Sequence, residues 1–519
     1  FLFNFMRYLR QGGLSQFINI IPFMMHHRLI LIVIRVLSIL CVIASQELNA
    51  QPINWANGGG HPGRFGWINR QGPTSDSLLW TRARPGLFGM PAYTEGNRVI
   101  SMRFLSLTNA PVECYELRTG LLLWSVDVTG GTGRSLPVGL RNGRVFVVRY
   151  TESQNDSLFA LDVQNGNRLW AASVRVNPYI GSSATFDSAG QMYIEGNGVI
   201  YRINPINGAS NWQINTIPFA SGGGEMSIHP PNHTGYTHEQ IGGVSYLWAT
   251  DLSTGIKKYN HIINDTYPGG PLPQAPLMVG PSGIIYVHKQ GDNISAFSDD
   301  GTRLQLLWET PITGSAPFSH PCLGPSGDVY VPSGGRVLRL SPITGTPIDS
   351  SPIIASNPDL FQMRASTDGE GTVYVTNGEN AVYSFTPNLQ FRWMHYVPNV
   401  NTCAPVFGTD GIVVVSGGGV IKAFAPPQLS SSVFEYESSN WRVFPNPSSE
   451  PPMLWVDDIR DGAEYTLFDV GGRIIASGPI LKGLNSLSWG AAPSGLYHLV
   501  FWDGRKRHTT KLLRIPNSQ

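Results

Sequence analysis

A repeat of about 44 residues constrains the fold of this chain more than any other feature, because repeats of this length form stacked arrays or propellers. The clearest copy runs from Gly143 to Trp170. It contains two short apolar strands, an Asn-Gly turn at Asn165 and Gly166, and a third strand that ends in the tryptophan. Asn-Gly suits the positive φ of tight hairpins. Each copy therefore predicts a small antiparallel sheet.

Two residues mark the copies, a glycine in the turn and a tryptophan that closes the unit. We interpret both as structural, with the tryptophan packed between units and the glycine making the turn. Counting the opening strands gives eight units, of which the one around residues 243–259 is degenerate and lacks the tryptophan. The turn glycines are Gly120, Gly166, Gly208, Gly255, Gly301 and Gly345. The closing tryptophans are Trp124, Trp170, Trp212, Trp308 and Trp393, and Trp80 occupies the same place in a strand before the first unit.

That early strand, from Ser77 to Trp80, has the form of the piece that the last unit lacks, since the last unit runs into prolines after Phe424. A ring closed by a strand from the N-terminal end leaves no exposed sheet edge that could template aggregation. The sequence therefore predicts an all-β fold. Its main part is an eight-bladed β-propeller over residues 75–427, preceded by a lead-in at residues 51–74.

Composition fits this prediction and narrows the function. Charged residues make up 14% of the chain, against about 25% in a typical soluble domain, and the 58 glycines and 39 prolines suit many short strands joined by turns. The net charge is +1, from 36 basic and 35 acidic residues. Nucleic-acid binding needs a clustered positive surface, and the only basic run is at residues 505–507. We expect no nucleic-acid partner.

Residues 1–50 are predicted to comprise an upstream extension and a signal peptide, with the true start at Met24 or Met25. A basic stretch is followed by an apolar run that Arg35 interrupts, and nine residues from Val36 form its uninterrupted part. Such a run suits a signal peptide and is too short to cross a bilayer. The mature chain would begin at Gln51 without a transmembrane segment.

The mature chain keeps three of the four cysteines, since Cys41 lies in the predicted signal peptide. An odd number cannot all pair internally, so the sequence leaves open whether two of Cys114, Cys322 and Cys403 form a disulfide. No CxxC motif occurs, which disfavours a zinc ribbon or a thioredoxin-like site.

A second module follows the repeats. Residues 428–440 are rich in serine and predict a linker, and residues 441–519 have a different pattern. Strands at residues 465–470 and 496–501, bounded by Gly and Pro turns, predict a small β-sandwich.

The repeat resembles the pyrroloquinoline-quinone-type repeat of quinoprotein dehydrogenases. The Tyr-Val, Ala-Leu-Asp, Gly and Leu-Trp elements carry the resemblance, best seen from Val145 to Trp170. The resemblance implies the fold and leaves function open, because the family includes quinone-dependent dehydrogenases and also non-catalytic scaffold propellers. Its dehydrogenases commonly carry adjacent cysteines, a bound calcium and a catalytic aspartate. No Cys-Cys pair occurs here, so we expect neither quinone nor calcium.

The last module resembles the C-terminal sorting domain of the type IX secretion system. Four ordered motifs at residues 444–447, 468–473, 494–497 and 511–513 carry the resemblance. It implies transport by the type IX machinery across the outer membrane of a Bacteroidota-type bacterium, removal of the module and attachment of the remainder to the cell surface. An adhesive β-sandwich is the alternative. The matching residues include Pro445, Asn446, Pro447, Asp469, Gly472, Gly495 and Tyr497.

The densest group of potential metal ligands is His229, His233 and His238, followed by Glu239. Imidazole and carboxylate suit zinc or copper, but the spacing is not HExxH and the Pro- and Gly-rich context argues against a helix that would align them. We take these histidines as weak metal candidates and favour a solvated loop. The sequence predicts no catalytic residue.

Three functions remain open. The leading hypothesis is a secreted or cell-surface, non-catalytic propeller that binds a protein or glycan through its loops and is exported by a type IX system. The second is an enzyme, a quinone-dependent oxidoreductase or another kind, with its active site in the propeller channel or loops. The third is a periplasmic or outer-membrane assembly scaffold, although the sorting-like module argues against a protein that stays in the periplasm.

Overall fold

The computed structural model describes most of the chain beyond residue 54. The described residues are 55–88, 92–151, 157–176, 183–196, 198–215, 225–241, 244–263, 277–289, 293–314, 319–360, 362–401, 403–430, 441–444, 451–456, 463–470, 472–489, 492–502, 507–514 and 516. The predicted signal peptide, most of the linker, and Pro445, Asn446 and Pro447 lie outside them. The chain divides into two compact units, one ending at Pro427 and the other starting at Gln428.

The first unit is built from short strands. In chain order they are β1 (Leu78–Phe88), β2 (Tyr93–Glu95), β3 (Arg98–Phe104), β4 (Asn109–Ala110), β5 (Val112–Glu116), β6 (Leu122–Val126), β7 (Gly133–Arg141), β8 (Arg144–Tyr150), β9 (Ser157–Asp162), β10 (Arg168–Ala171), β11 (Thr185–Phe186), β12 (Met192–Gly196), β13 (Val199–Ile203), β14 (Ser210–Asn215), β15 (Ser227–His229) and β16 (Thr234–Ile241). The series continues with β17 (Val244–Asp251), β18 (Lys257–Ile263), β19 (Met278–Val279), β20 (Ile285–Lys289), β21 (Asn293–Asp299), β22 (Leu304–Pro311), β23 (Cys322–Leu323), β24 (Val329–Ser333), β25 (Arg336–Leu340), β26 (Pro347–Ser350), β27 (Arg364–Thr367), β28 (Val373–Thr376), β29 (Ala381–Phe385), β30 (Phe391–Tyr396), β31 (Val406–Phe407) and β32 (Val413–Phe424). Helical turns lie at Pro230–Asn232 and Thr409–Gly411, and helix α1 spans Pro427–Ser430.

These strands form a series of sheets. Sheet I has the order β31-β32-β1-β3-β5-β6, with β2 also paired to β3, and sheet II has the order β10-β9-β8-β7-β4. Sheets III to VII each contain four consecutive strands in sequence order, β11–β14, β15–β18, β19–β22, β23–β26 and β27–β30. Consecutive four-stranded meanders of this kind are the blades of a β-propeller, which confirms the predicted fold class. The number of eight blades stays a prediction.

Sheet I joins the two ends of the first unit. Strand β1 pairs antiparallel with β32, with Leu78 opposite Phe424 and Trp80 opposite Ala423. Strand β1 also pairs with β3 at its far end, through Leu87 and Phe88. An early strand thus completes the hydrogen bonding of the last strand of the unit.

A recurring contact between a tryptophan and a glycine links neighbouring repeats, and in four of its five instances it joins neighbouring sheets. Each indole lies against the turn glycine of the next repeat and donates its Nε1–H to a backbone carbonyl in the same turn region. The glycines have φ of 67° to 75°, so they satisfy both the turn and the close approach of the ring. The pairs are Trp80 with Gly120, Trp124 with Gly166, Trp170 with Gly208, Trp212 with Gly255, and Trp308 with Gly345. The acceptors are the carbonyls of Leu117, Val163, Pro205, Leu252 and Pro342, at 2.7 to 3.1 Å.

The degenerate repeat replaces this contact with a hydrogen bond. Strand β18 places Tyr259 where its neighbour β14 places Trp212, each just before a register shift in the pairing. The Tyr259 hydroxyl donates to Asp299 Oδ1 at 2.5 Å in sheet V. Gly301 lies in the turn between β21 and β22 of sheet V, and no indole covers it. A Cβ at this position would meet no heavy atom within 4 Å.

The second unit contains two sheets. Its strands are β33 (Trp441–Phe444), β34 (Met453–Val456), β35 (Glu464–Asp469), β36 (Ile474–Pro479), β37 (Gly483–Ser486), β38 (Gly495–Trp502) and β39 (Arg507–Arg514). One sheet has the order β33-β34-β37 and the other β36-β35-β38-β39. Leu454 from the first sheet and Leu467 and Leu499 from the second share one buried core, which is the arrangement of a β-sandwich.

Several residues of the sorting-like motifs have structural contacts in this unit. The Asp469 carboxylate accepts hydrogen bonds from the backbone N–H of Arg473 at 2.9 Å and from its Nε at 3.1 Å. Gly472 completes this turn at φ 79°. Tyr497 is buried, and its hydroxyl donates to the Pro493 carbonyl.

Candidate functional site

The channel of the propeller is occupied by the chain's own lead-in segment, residues 55–73. This segment contacts one strand in each of sheets I to VII, one sheet after another, in the order in which those sheets follow along the chain. It therefore makes one circuit of the inner edge of the sheets. In order, Trp55 bridges to Thr94 of β2, Ala56 O accepts from Leu140 N of β7 at 3.1 Å, Asn57 Nδ2 donates to Thr185 Oγ1 of β11 at 3.4 Å, Pro62 O accepts from Ile228 N of β15 at 2.9 Å, Gly63 O accepts from Val279 N of β19 at 2.7 Å, Phe65 O accepts from Leu323 N of β23 at 2.8 Å, and Gly66 O accepts from Thr367 N of β27 at 2.8 Å.

Glycines allow this close approach. A Cβ on Gly63 would lie 2.0 Å from the Val279 carbonyl oxygen, and one on Gly59 would lie 2.5 Å from Arg64 Cα. No side chain fits at either position without moving backbone. The glycine run at residues 58–60, together with Gly63, is the feature of the sequence that signals this close packing of backbone against the sheets.

A buried ion pair fastens the lead-in to the sheets. Arg64 has no exposed side-chain surface, and its Nη1 lies 2.7 Å from Glu225 Oε2. The same guanidinium donates to Ser183 Oγ at 2.5 Å, to Ser183 O at 2.8 Å and to Met226 O at 3.3 Å. Glu225 in turn accepts from the Ser183 backbone N–H. Four hydrogen-bonding contacts make this pair the main polar link between the lead-in and sheets III and IV.

Two further carboxylates face the same region. Burial, with the nearby carboxylates of Glu225 and Glu239, raises the pKa of Glu195 in β12 to about 8. Glu239 in β16 is buried and pairs with Lys257 Nζ at 2.7 Å. Glu195 therefore keeps its proton at neutral pH, because a third negative charge beside two buried carboxylates is unfavourable.

A small pocket lies between the lead-in and the inner parts of sheets VI and VII. Its lining includes Trp55, Gly59 and Gly66 from the lead-in, and His320 and Arg364 from the sheets. It has room for about one water molecule. Burial, with the positive charge of Arg364, lowers the pKa of His320 to about 3, so this imidazole is neutral.

The structure separates the three histidines that the sequence placed together. His229 of β15 packs against Gly283, whose Cβ would lie 2.9 Å from its Cε1. His233 ends the 3-10 turn at φ 52°, in the left-handed region. His238 of β16 is buried, and it lies four residues beyond Thr234, the partner of His229, which is about 13 Å along a strand. They form no common site, and among the described residues no group of three potential ligands is arranged to hold a metal ion.

The cysteines have structural positions. Cys114, Cys322 and Cys403 are all buried and no disulfide joins any two of them, which answers the disulfide question that the sequence left open. Burial raises the pKa of Cys114 to about 12 and raises that of Cys322 further. Thiols that stay protonated are poor nucleophiles.

The comparisons with known proteins agree with the repeat and the fold. Residues 64–234 match a PQQ-like repeat family described as outer membrane protein assembly factor BamB. The propeller repeats are PQQ-like. The matched stretch contains part of the lead-in and the repeats as far as the start of β16, and a comparison with curated proteins gives no match.

Solved structures of low identity share the propeller. BamB from Moraxella catarrhalis is 13% identical, with a TM-score of 0.52, over 67% of this chain and 98% of that one. Quinohemoprotein alcohol dehydrogenase from Comamonas testosteroni is 12% identical, with a TM-score of 0.56, over 73% and 81%. Quinohemoprotein alcohol dehydrogenase ADHIIG from Pseudomonas putida HK5 is 12% identical, with a TM-score of 0.57, over 80% and 84%. At these identities the similarity establishes the fold alone.

Residues 55–73 lie along the inner edge of the described sheets. The pocket beside Arg364 holds about one water molecule. The described helices include none that is long and apolar enough to cross a membrane.

Proposed function

We propose that this protein is a secreted or surface-attached, non-catalytic propeller that binds a protein or glycan through its outer surface, and that its C-terminal sandwich directs export by a type IX secretion system. The observation that carries the binding role is the circuit of residues 55–73. It lies along the inner edge of the sheets, with backbone hydrogen bonds to six strands and a side-chain hydrogen bond from Asn57 to a seventh, so ligand recognition falls to the loops and outer strands.

An exposed apolar surface supports recognition of a partner. Ile353, Leu360 and Tyr396 are 62%, 61% and 59% exposed. Both chain segments that carry them are tied to one hairpin, since Ser356 Oγ donates to Glu379 Oε1 at 2.7 Å and Val397 N donates to Asn380 O at 2.9 Å. We call these three side chains the Glu379 surface. Exposed apolar and aromatic side chains around one hairpin are typical of interaction sites.

Two features support export. The basic and apolar pattern of residues 24–50 is that of a signal peptide. The C-terminal unit has its own core and carries the ordered sorting-like motifs, of which Asp469, Gly472 and Tyr497 build its turns and core. A detachable unit is what a removable sorting signal requires.

The test of export follows the protein in a bacterium with a type IX system. Mass spectrometry of surface and medium fractions should find a chain that begins at Gln51 and ends before Trp441. A chain without residues 441–519 should remain in the periplasm with its propeller folded. Release of that shortened chain to the surface would refute the sorting role of the module.

The test of binding uses the same exported protein. Cross-linking on intact cells and a glycan array should give a partner for the unmodified chain. Ile353→Glu with Leu360→Glu should abolish it, whereas Ile343→Glu, at an 83% exposed position in a turn, should not. Loss in both variants, or in neither, would place recognition away from the Glu379 surface.

The assembly-scaffold alternative has one specific observation in its favour, the match of residues 64–234 to the family of an outer membrane protein assembly factor. Retention of the full-length protein in the periplasm, together with capture of a membrane assembly component, would favour that role over export.

A further inference from the structure

Arg364 is a buried cation without a carboxylate partner in the described part of the chain. Its residue is 8% exposed, at the start of β27. Its side chain makes one hydrogen bond, from Nη2 to Gln362 Oε1 at 3.2 Å, and Nε has no partner among the described residues. A guanidinium has five N–H donors and stays charged at every accessible pH. Burying such a group unpaired is costly.

Glu225 is the described carboxylate that faces Arg364, and it already pairs with Arg64 at 2.7 Å. Among the described residues, Arg64, Glu225 and Arg364 together therefore carry one positive charge more than they carry negative charges. A counter-ion from solution is the simplest group that would balance it.

His320 supplies a second unpaired polar atom at the same pocket. Its Nδ1 lies 2.6 Å from the Pro321 carbonyl oxygen, so Nδ1 carries the proton and donates it there. Its Nε2 is buried and has no partner among the described residues. Both His320 and Arg364 line the pocket that has room for about one water molecule.

We propose that this pocket binds one small monovalent anion, of halide size, beside the Arg364 guanidinium. The glycines at positions 58, 59 and 66 let the lead-in backbone close the pocket, which excludes larger anions. The bound anion offsets the positive charge of Arg364 and Arg64 on His320, so Nε2 takes up a proton and donates to the anion. Among the described residues, His288 is the other titratable group that faces His320, and burial keeps it neutral by lowering its pKa to about 4. Anion affinity therefore rises as the pH falls.

The test compares sodium bromide with sodium gluconate at equal ionic strength on the full chain. Gluconate is too large for the pocket. Bromide should raise the Tm by a few degrees, and the rise should grow with the logarithm of the bromide concentration above the Kd, because a ligand at concentration L that is bound only by the folded state stabilises it by RT ln(1 + L/Kd). The rise should be larger at pH 5.5 than at pH 8. Equal Tm in the two salts would overturn the proposal.

Variants separate this site from general salt effects. Arg364→Met should remove the bromide dependence and should be at least as stable as the unmodified protein in gluconate. Arg339→Met is the matched control, since Arg339 already pairs with Asp328 and Asp349 at 2.9 Å, and it should keep the bromide dependence. His320→Gln should keep bromide binding at pH 8 and lose its increase at pH 5.5.

Crystals of the unmodified protein soaked in bromide test directly whether the pocket binds an anion, even if Arg364→Met fails to fold. Anomalous scattering should show one bromide within hydrogen-bonding distance of Arg364 and His320 Nε2. A water molecule at that place, with bromide only on the outer surface, would overturn the proposal.

Discussion

The indole ring of Trp308 in sheet V packs directly against Gly345, which lies in a turn of the neighbouring sheet VI. A Cβ on Gly345 would lie 2.4 Å from Cε3 of the indole, and the indole Nε1 donates to the Pro342 carbonyl in the same turn at 3.0 Å. Four other pairs repeat this contact around the propeller. The glycine is therefore required twice, by its φ of 71° and by the ring above it.

Gly345→Ala should lower the free energy of unfolding by about 2–4 kcal/mol, from the left-handed backbone and the overlap with Trp308 together. Gly301→Ala is its control. Gly301 has a similar positive φ of 88° but no atom within 4 Å of the position that a Cβ would take, so only the backbone cost of about 1 kcal/mol remains. Chemical denaturation measures both. Equal losses would mean that the indole contact contributes nothing.

Trp80→Phe should weaken the closing strand β1. The substitution removes the 2.7 Å hydrogen bond from Nε1 to the Leu117 carbonyl and leaves that oxygen buried. Trp393→Phe is the matched comparison, because both tryptophans are 6% exposed and Trp393 Nε1 has no acceptor among the described residues. We expect Trp80→Phe to be more destabilising by about 1–2 kcal/mol in thermal or urea unfolding. A larger loss of stability in Trp393→Phe than in Trp80→Phe would contradict a stabilising hydrogen bond from Trp80 to Leu117.

Arg64→Met should destabilise the propeller by about 3–5 kcal/mol, since it leaves Glu225 buried without its partner. The lead-in should then become accessible to proteases between residues 55 and 73, which limited proteolysis with mass spectrometry detects. Arg303→Met is the control. Its ion pair with Asp300 is between side chains that are 72% and 50% exposed, and its loss should change stability by less than about 0.5 kcal/mol. An intact lead-in in Arg64→Met would show that the backbone contacts suffice.

Glu195→Gln should make the folded protein more stable at pH 8 than the unmodified chain. The pKa of Glu195 is about 8 in the folded state, against 4.5 ordinarily, so folding retains a proton that the unfolded chain has lost. The stability from this group is fully present below pH 4.5 and is lost as the pH rises to about 8. Glutamine is neutral at every pH, so the substitution should remove this contribution to the change of unfolding free energy with pH. Unfolding curves from pH 5 to 9 measure the free energy of unfolding of both proteins. The same dependence on pH in both would refute the raised pKa of Glu195.

The repeat pattern was sufficient to predict the propeller, because the residues that determine the strands and the turn of each repeat lie within that repeat. Trp170 and Gly166 lie four residues apart, yet they pack on different sheets, and only the regular spacing indicated this. Tyr259 was missed, since a hydrogen bond from a tyrosine to Asp299 has no resemblance in sequence to an indole over a glycine.

The lead-in could not be predicted, for a physical reason. Its hydrogen bonds go to seven strands spread from Thr94 to Thr367, and no strand or helix period in residues 55–73 records those partners. Glu195, Glu225 and Glu239 likewise come together only because sheets III and IV radiate from a common axis. These glutamates are separated by 30 and 14 residues along the chain, and no feature of the sequence predicts that they lie close together. Asn57 and the glycines after it were the available clue to an extended backbone.

The pairing of β1 with β32 has a consequence for how the chain is made. Synthesis delivers residues 55–88 first, but their last partners, up to Phe424, only about 340 residues later. Until then the lead-in has no completed circle to lie in, and β1 has no strand to join. The ring of sheets therefore cannot close until the chain has been synthesised as far as Phe424.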